Sequence, residues 1–137
     1  MRLLNIHGRL VSKNVNKYLI KWDAPSRSKI QFKVKQFFKP YWSGQIVYEE
    51  FPTYGSLLKV DILNATRKIA IEVHGAQHEH HNKFFHPTKH DFLKSITRDL
   101  TKHAWLTSNN FKIIEIYEHE VDKVSKAFLK EKFDLDL

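Results

Sequence analysis

The chain has 137 residues, 42% hydrophobic and 28% charged, a composition that suits one globular domain and excludes a disordered polymer. Lys and Arg number 23 against 15 acids, giving a net charge of +8 and a pI near 9.6, which favours polyanionic partners and nucleic acid above all. Cysteine is absent, so disulfides and thiolate metal sites are excluded, and no apolar run approaches the roughly 18 residues of a membrane helix.

The first residues, M-R-L-L-N-I-H-G-R-L-V, are too interrupted for a secretory signal, and a cytoplasmic protein is expected. Residues 1–24 hold short mixed segments that read as an N-terminal arm or one or two short strands. Pro25-Ser26-Arg27-Ser28 supplies helix N-cap residues. Ile30, Val34, Phe37, Phe38 and Tyr41 then recur at helical spacing, with lysines on the outer side, until Pro40 and Ser43-Gly44 end the helix.

Strands are expected at 45–51, 57–63 and 68–74, joined by the short turns P52-T-Y-G-S56 and N64-A-T-R67, which makes an antiparallel meander. Residues 75–90 are polar and carry His78, His80, His81, His86 and His90. A helix follows from Asp91 to Ser108 with Phe92, Ile96 and Leu100 on one side, stopped by Asn109-Asn110. A strand at 111–117 and a closing helix marked by Val121, Val124, Phe128 and Leu129 complete the order. One α/β domain with a mixed sheet flanked by helices is the economical reading, the last strand reaching the sheet by a crossover and lying parallel to a neighbour.

Two acids interrupt apolar strands on either side of a tight turn: Asp61 in L57-L-K-V-D-I-L63 and Glu72 in K68-I-A-I-E-V-H74. Carboxylates brought close in adjacent strands repel unless a cation lies between them. Hard oxygen donors of this kind suit Mg²⁺ or Mn²⁺ and phosphate substrates. His74 shares the Glu72 face of its strand, where a neutral imidazole could orient or deprotonate a water; the blander role is a strand-end histidine bonded to backbone. The histidines of 78–90 lack both cysteine partners and the spacing of a closed zinc site.

D61-x10-E72-x-H74 resembles the PD-(D/E)XK nuclease motif, with His in place of Lys. With G75-x-Q77-H78, R98-D99 and F111-K-I-I-E-I116, the chain is similar to the EDxHD homing endonucleases of phages and the related very-short-patch mismatch-repair (Vsr) endonuclease. The likeness runs from about Ser28 to Tyr117 and implies a restriction-endonuclease-like core over residues 25–137, with double-stranded DNA as substrate and Mg²⁺ or Mn²⁺ as cofactor. It further implies that Asp61, Glu72 and the Val73 backbone carbonyl hold the metal, that His74 is the general base or its helper, and that Asp99 pairs with a histidine to orient it. The blander role for Asp99 is a helix-surface acid paired with Lys102 or Arg98.

The leading acid of the EDxHD pattern would fall on Glu49 or Glu50, whose faces depend on the strand register. Where related nucleases carry a first-helix Glu, this chain has Gln31, which could only hydrogen-bond a metal-bound water. His78 would line the site, and Lys83, Lys89, Lys94, Arg98 and Lys102 would contact phosphates. Alternatives are a mismatch- or structure-specific nickase or resolvase, a degenerate nuclease core that only binds DNA, and an RNA-binding protein. The target would be read by residues 1–24, by loops, by a second subunit, or by a segment outside this chain, and a C2 homodimer would allow both strands to be cut.

Overall fold

A computed structural model describes residues 1–75 and 89–137. In chain order its regular elements are β1 (Arg2–Leu4), β2 (Leu10–Ser12), α1 (Lys29–Trp42), β3 (Val47–Pro52), β4 (Lys59–Asn64), β5 (Ile69–His74), α2 (Lys89–Ser108), β6 (Lys112–Tyr117) and α3 (Lys126–Phe133). β1 and β2 pair as a hairpin, and the main sheet has the order β3-β4-β5-β6. The first three strands are antiparallel, and β6 lies parallel to β5. The sequence therefore anticipated the meander and the parallel partner formed after α2.

Strand alternation divides the apolar residues between the two faces of the sheet. One face carries Ile62, Ile71, Val73, Ile114 and Ile116 and packs against Val34, Phe38 and Trp42 of α1 and Leu129 of α3. The other carries Phe51, Leu63 and Ala70 and packs against Trp105 and Leu106 of α2 and Leu3 of the hairpin. Each such fully buried large side chain contributes about 1.5–3 kcal/mol of transfer free energy, so the sheet is anchored on both sides.

Ser28 caps α1, its hydroxyl accepting the Gln31 N–H at 3.2 Å. Pro40 does not end this helix, which runs on to Trp42 at the loss of one bond of the helical ladder. Not all of the lysines lie outside, because Lys35 is completely buried. The α2 stripe also departs from expectation. Ile96 and Leu100 are 39% and 63% exposed, whereas Ser95 is buried and Trp105 and Leu106 anchor the C-terminal half. The middle of α2 turns Ser95, Asp99 and Lys102 toward the ends of β4 and β5, and that polar face displaces the apolar one.

The closing helix is divided. A 3-10 turn spans Glu118–Lys123, and α3 starts afresh at the Ser125 cap. The N-terminal segment is stitched down, with the Trp105 indole N–H donating to the Leu4 carbonyl at 2.6 Å and the Tyr54 hydroxyl donating to Met1 O at 2.7 Å.

Candidate functional site

The antiparallel ladder between β4 and β5 runs through Asn64↔Ile69, Leu63↔Ala70 and Ile62↔Ile71, then stops. The next opposed residues are Asp61 and Glu72, and their side chains take over from the backbone. The Val73 N–H donates to Asp61 Oδ2 at 2.8 Å, and the Asp61 N–H donates to Glu72 Oε2 at 3.3 Å. On its far edge β5 stays paired with β6 as far as His74↔Tyr117. The sheet thus opens on the β4 side alone, and the opening is a cleft of about 380 Å³.

Asp61, Glu72, Val73, His74, Asp99 and Lys102 all line this cleft, together with Arg98. These seven stand on three elements: Asp61 on β4, Glu72, Val73 and His74 on β5, and Arg98, Asp99 and Lys102 on α2. Spacings of three and four residues along α2 put Ser95, Asp99 and Lys102 on one side of the helix.

Asp61 and Glu72 are 4% and 1% exposed. Burial, and next the Asp61 charge, push the Glu72 carboxyl up to about 8, against the opposing pull of Lys102. Lys102 Nζ lies 2.7 Å from Glu72 Oε1, an ion contact that misses good hydrogen-bond geometry, and donates to the Lys59 carbonyl at 3.0 Å. Arg27 Nη2 is 3.6 Å from Asp61 Oδ1, on a side chain that is 65% exposed. Each buried acid therefore faces a cation, and one of those cations stands largely in solvent.

His74 closes β5 on the Glu72 face. Its Nε2 is 3.1 Å from Glu115 Oε1 on β6, and its ring lies 5.2 Å from that of Tyr117. His103 Nε2, from α2, is 3.0 Å from the same Glu115 oxygen. The hydrogen bond from His74 is the main reason that the Glu115 carboxyl is held below its ordinary range, with burial opposing. Asp99 is half-buried and makes no hydrogen bond or ion pair with the described residues; among those residues, Glu115 meets His74. His78 and Lys83 lie outside the described residues.

Glu49, Glu50 and Gln31 form a separate cluster on the α1 side. Glu50 adopts a left-handed backbone (φ 53°), which breaks the alternation of β3 and turns both acids toward Gln31. The Gln31 amide donates to Glu49 Oε2 and to Glu50 Oε1, each at 3.0 Å. Lys35 Nζ donates to Glu49 Oε1 at 2.9 Å and to the Ala24 carbonyl at 2.8 Å, and the Ser26 hydroxyl donates to Glu49 at 2.6 Å. Arg27 links the two clusters, its Nε lying 4.0 Å from Glu50 Oε1.

Of the expected phosphate contacts, Arg98 lines the cleft and Lys102 turns inward onto Glu72, while Lys89 and Lys94 are exposed on α2. Sequence reading gave no role to Arg27, Lys35, His103 or Glu115. Glu115 had a signal, an acid flanked by isoleucines in a strand. His103 had a weaker one, standing four residues after Asp99.

Among the described residues no three His, Asp or Glu side chains form a preassembled metal cage. What the cleft offers a hard cation, among the described residues, is the pair of carboxylates Asp61 and Glu72. No helix among the described residues is long and apolar enough to cross a membrane. Comparison with known proteins adds no identity: no family model matches the chain, and no curated protein or solved structure is detectably similar to it.

Proposed function

We propose that the chain is a divalent-metal-dependent endonuclease that hydrolyses phosphodiester bonds of double-stranded DNA in the cytoplasm, on a PD-(D/E)XK-type core akin to that of the EDxHD homing endonucleases. The observation that carries this reading is the opening between β4 and β5, where two buried carboxylates stand beside an imidazole at the edge of a cleft lined with cations. Two carboxylates this close, one with its pKa pushed up by burial and by the other, are a combination that a cation relieves. The net charge of +8 suits a polyanionic substrate.

Asp61 and Glu72, with the Val73 carbonyl, would hold Mg²⁺ or Mn²⁺, which when bound supplies positive charge to a phosphodiester and acidifies water. His74 takes a proton from the attacking water as the new P–O bond forms and the opposite P–O ester bond breaks. The departing oxygen is protonated from solvent. Lys102 and Arg27, which neutralise the carboxylates, contribute positive charge near the phosphate, and Arg98 at the rim holds the backbone of the duplex. A monomer would nick; a C2 dimer would cut both strands.

The test is incubation of plasmid and of mismatched or branched duplexes with the protein in Mg²⁺, Mn²⁺ or EDTA. Cleavage should need the metal and fall by at least about 100-fold in Asp61→Ala. Identical behaviour of wild type and Asp61→Ala sinks the reading. DNA binding without cleavage of any substrate would leave a binding module on a nuclease-like sheet.

A further inference from the structure

We propose that Glu115 is a positioning residue that fixes the tautomer of His74, making Nδ1 the basic atom of that imidazole, with His103 completing the shell of the same carboxylate. The catalytic consequence rests on the nuclease reading given above, whereas the tautomer itself does not. Glu115 stands between Ile114 and Ile116, both fully buried, in a strand whose register sets it beside Glu72 and sets Tyr117 beside His74. Glu115 itself alternates to the other face of β6, where its side chain is 32% exposed and within reach of β5 and α2. Two imidazoles pair it, with His74 Nε2 and His103 Nε2 at 3.1 Å and 3.0 Å from the single oxygen Oε1.

The assignment of the proton follows from donor chemistry. An ionised carboxylate oxygen only accepts, so each ring nitrogen that meets it must carry hydrogen. Glu115 is held ionised, because the hydrogen bond from His74 and the two imidazoles lower its pKa. A neutral imidazole with its hydrogen on Nε2 has its lone pair on Nδ1. The His74 ring is 8% exposed and is packed against the Tyr117 ring at 5.2 Å and 31°, so it is not free to turn over and exchange its two nitrogens. His103 brings a second N–H to Oε1 from α2 and so ties that helix to β6, the parallel neighbour of the strand that carries His74.

Nitrogen-15 NMR of the histidine rings, with His74→Asn to assign the signal, tests this on the whole chain. Wild type should show His74 as the Nε2–H tautomer. Glu115→Gln, which can turn either its amide oxygen or its NH₂ toward the ring, should give a mixture. In cleavage assays that substitution should lower kcat by about 10- to 100-fold, the range for the loss of a residue that orients a ligand or base, with KM for DNA unchanged. His103→Asn, which leaves the Glu115–His74 contact in place, should cost less than Glu115→Gln. An Nδ1–H tautomer in wild type overturns the proposal, as does a Glu115→Gln protein with unchanged tautomer and kcat. If Glu115→Gln fails to fold, the wild-type tautomer decides. If wild type cleaves no DNA but its tautomer shifts in Glu115→Gln, the nuclease reading falls and the positioning role stands.

Discussion

Two pairs of acids in the main sheet, Glu49 with Glu50 on β3 and Asp61 with Glu72 on β4 and β5, have opposite fates. Glu49 and Glu50 are closed in by Gln31, Ser26 and the wholly buried ammonium of Lys35. Asp61 and Glu72 are more deeply buried, yet their partners are the mostly exposed Arg27 and a lysine reaching down from α2. The first pair has a counterion that cannot leave without unfolding its surroundings, and the second has counterions that can be exchanged. Buried charge alone does not mark a site; a buried charge whose partner can be replaced does.

Substitutions should separate the two clusters, and the largest effect belongs to the closed one. Lys35→Met leaves Glu49 as an uncompensated charge and should lower unfolding stability by about 3–5 kcal/mol in urea titration, with much of the loss recovered in Lys35→Met/Glu49→Leu. Lys102→Met should cost far less, because Glu72 can stay protonated. If the two lysines behave alike, the contrast fails.

Next comes stabilisation by ligand. Mn²⁺ at about 100 times its Kd should add about 2.7 kcal/mol to wild type and nothing to Asp61→Ala, as read by thermal melting. A Glu49→Gln protein should keep that gain, since the closed cluster takes no part in it.

Stability should also depend on pH. Glu72 has a folded pKa raised from 4.5 to about 8, so between those values the folded state binds more protons than the unfolded one. Metal-free stability should therefore fall as pH rises through that window. Glu72→Gln should flatten the slope, and a slope unchanged by that substitution would show that the acid is not held protonated. Metal affinity should rise over the same range, because the cation must displace that proton. The smallest effect is Arg27→Ala. This pair is 65% exposed on the arginine side, so less than about 1 kcal/mol of stability should be lost, with Mn²⁺ affinity maintained or improved.

Much of this was legible in the sequence where local pattern and tertiary demand agree. Period-two alternation and short turns marked β3, β4 and β5, and Asp61, Glu72 and His74 stood out because they break apolar strands. Whether Glu49 or Glu50 faced the site was not legible, because a left-handed backbone at a glutamate cancels the alternation on which the question rested. Lys35 was hidden for a different reason: a lysine in a helical pattern reads as outside unless the acid that pairs with it is known. The α2 stripe misled because that helix presents its polar face to a cleft. Glu115 was visible as an anomaly without a role, since its partners come from β5 and α2, His74 standing 41 residues earlier in the chain.

The gap in the ladder between β4 and β5 has a consequence for assembly. Both backbone N–H groups at the gap, those of Asp61 and Val73, are already paired with carboxylate oxygens, so the local hydrogen bonding is complete with no cation in place. On the proposed metal site, folding and loading should be separable events. A chelator should strip the protein of any activity and leave its circular dichroism spectrum untouched, and the emptied protein should be recharged without passing through an unfolded state.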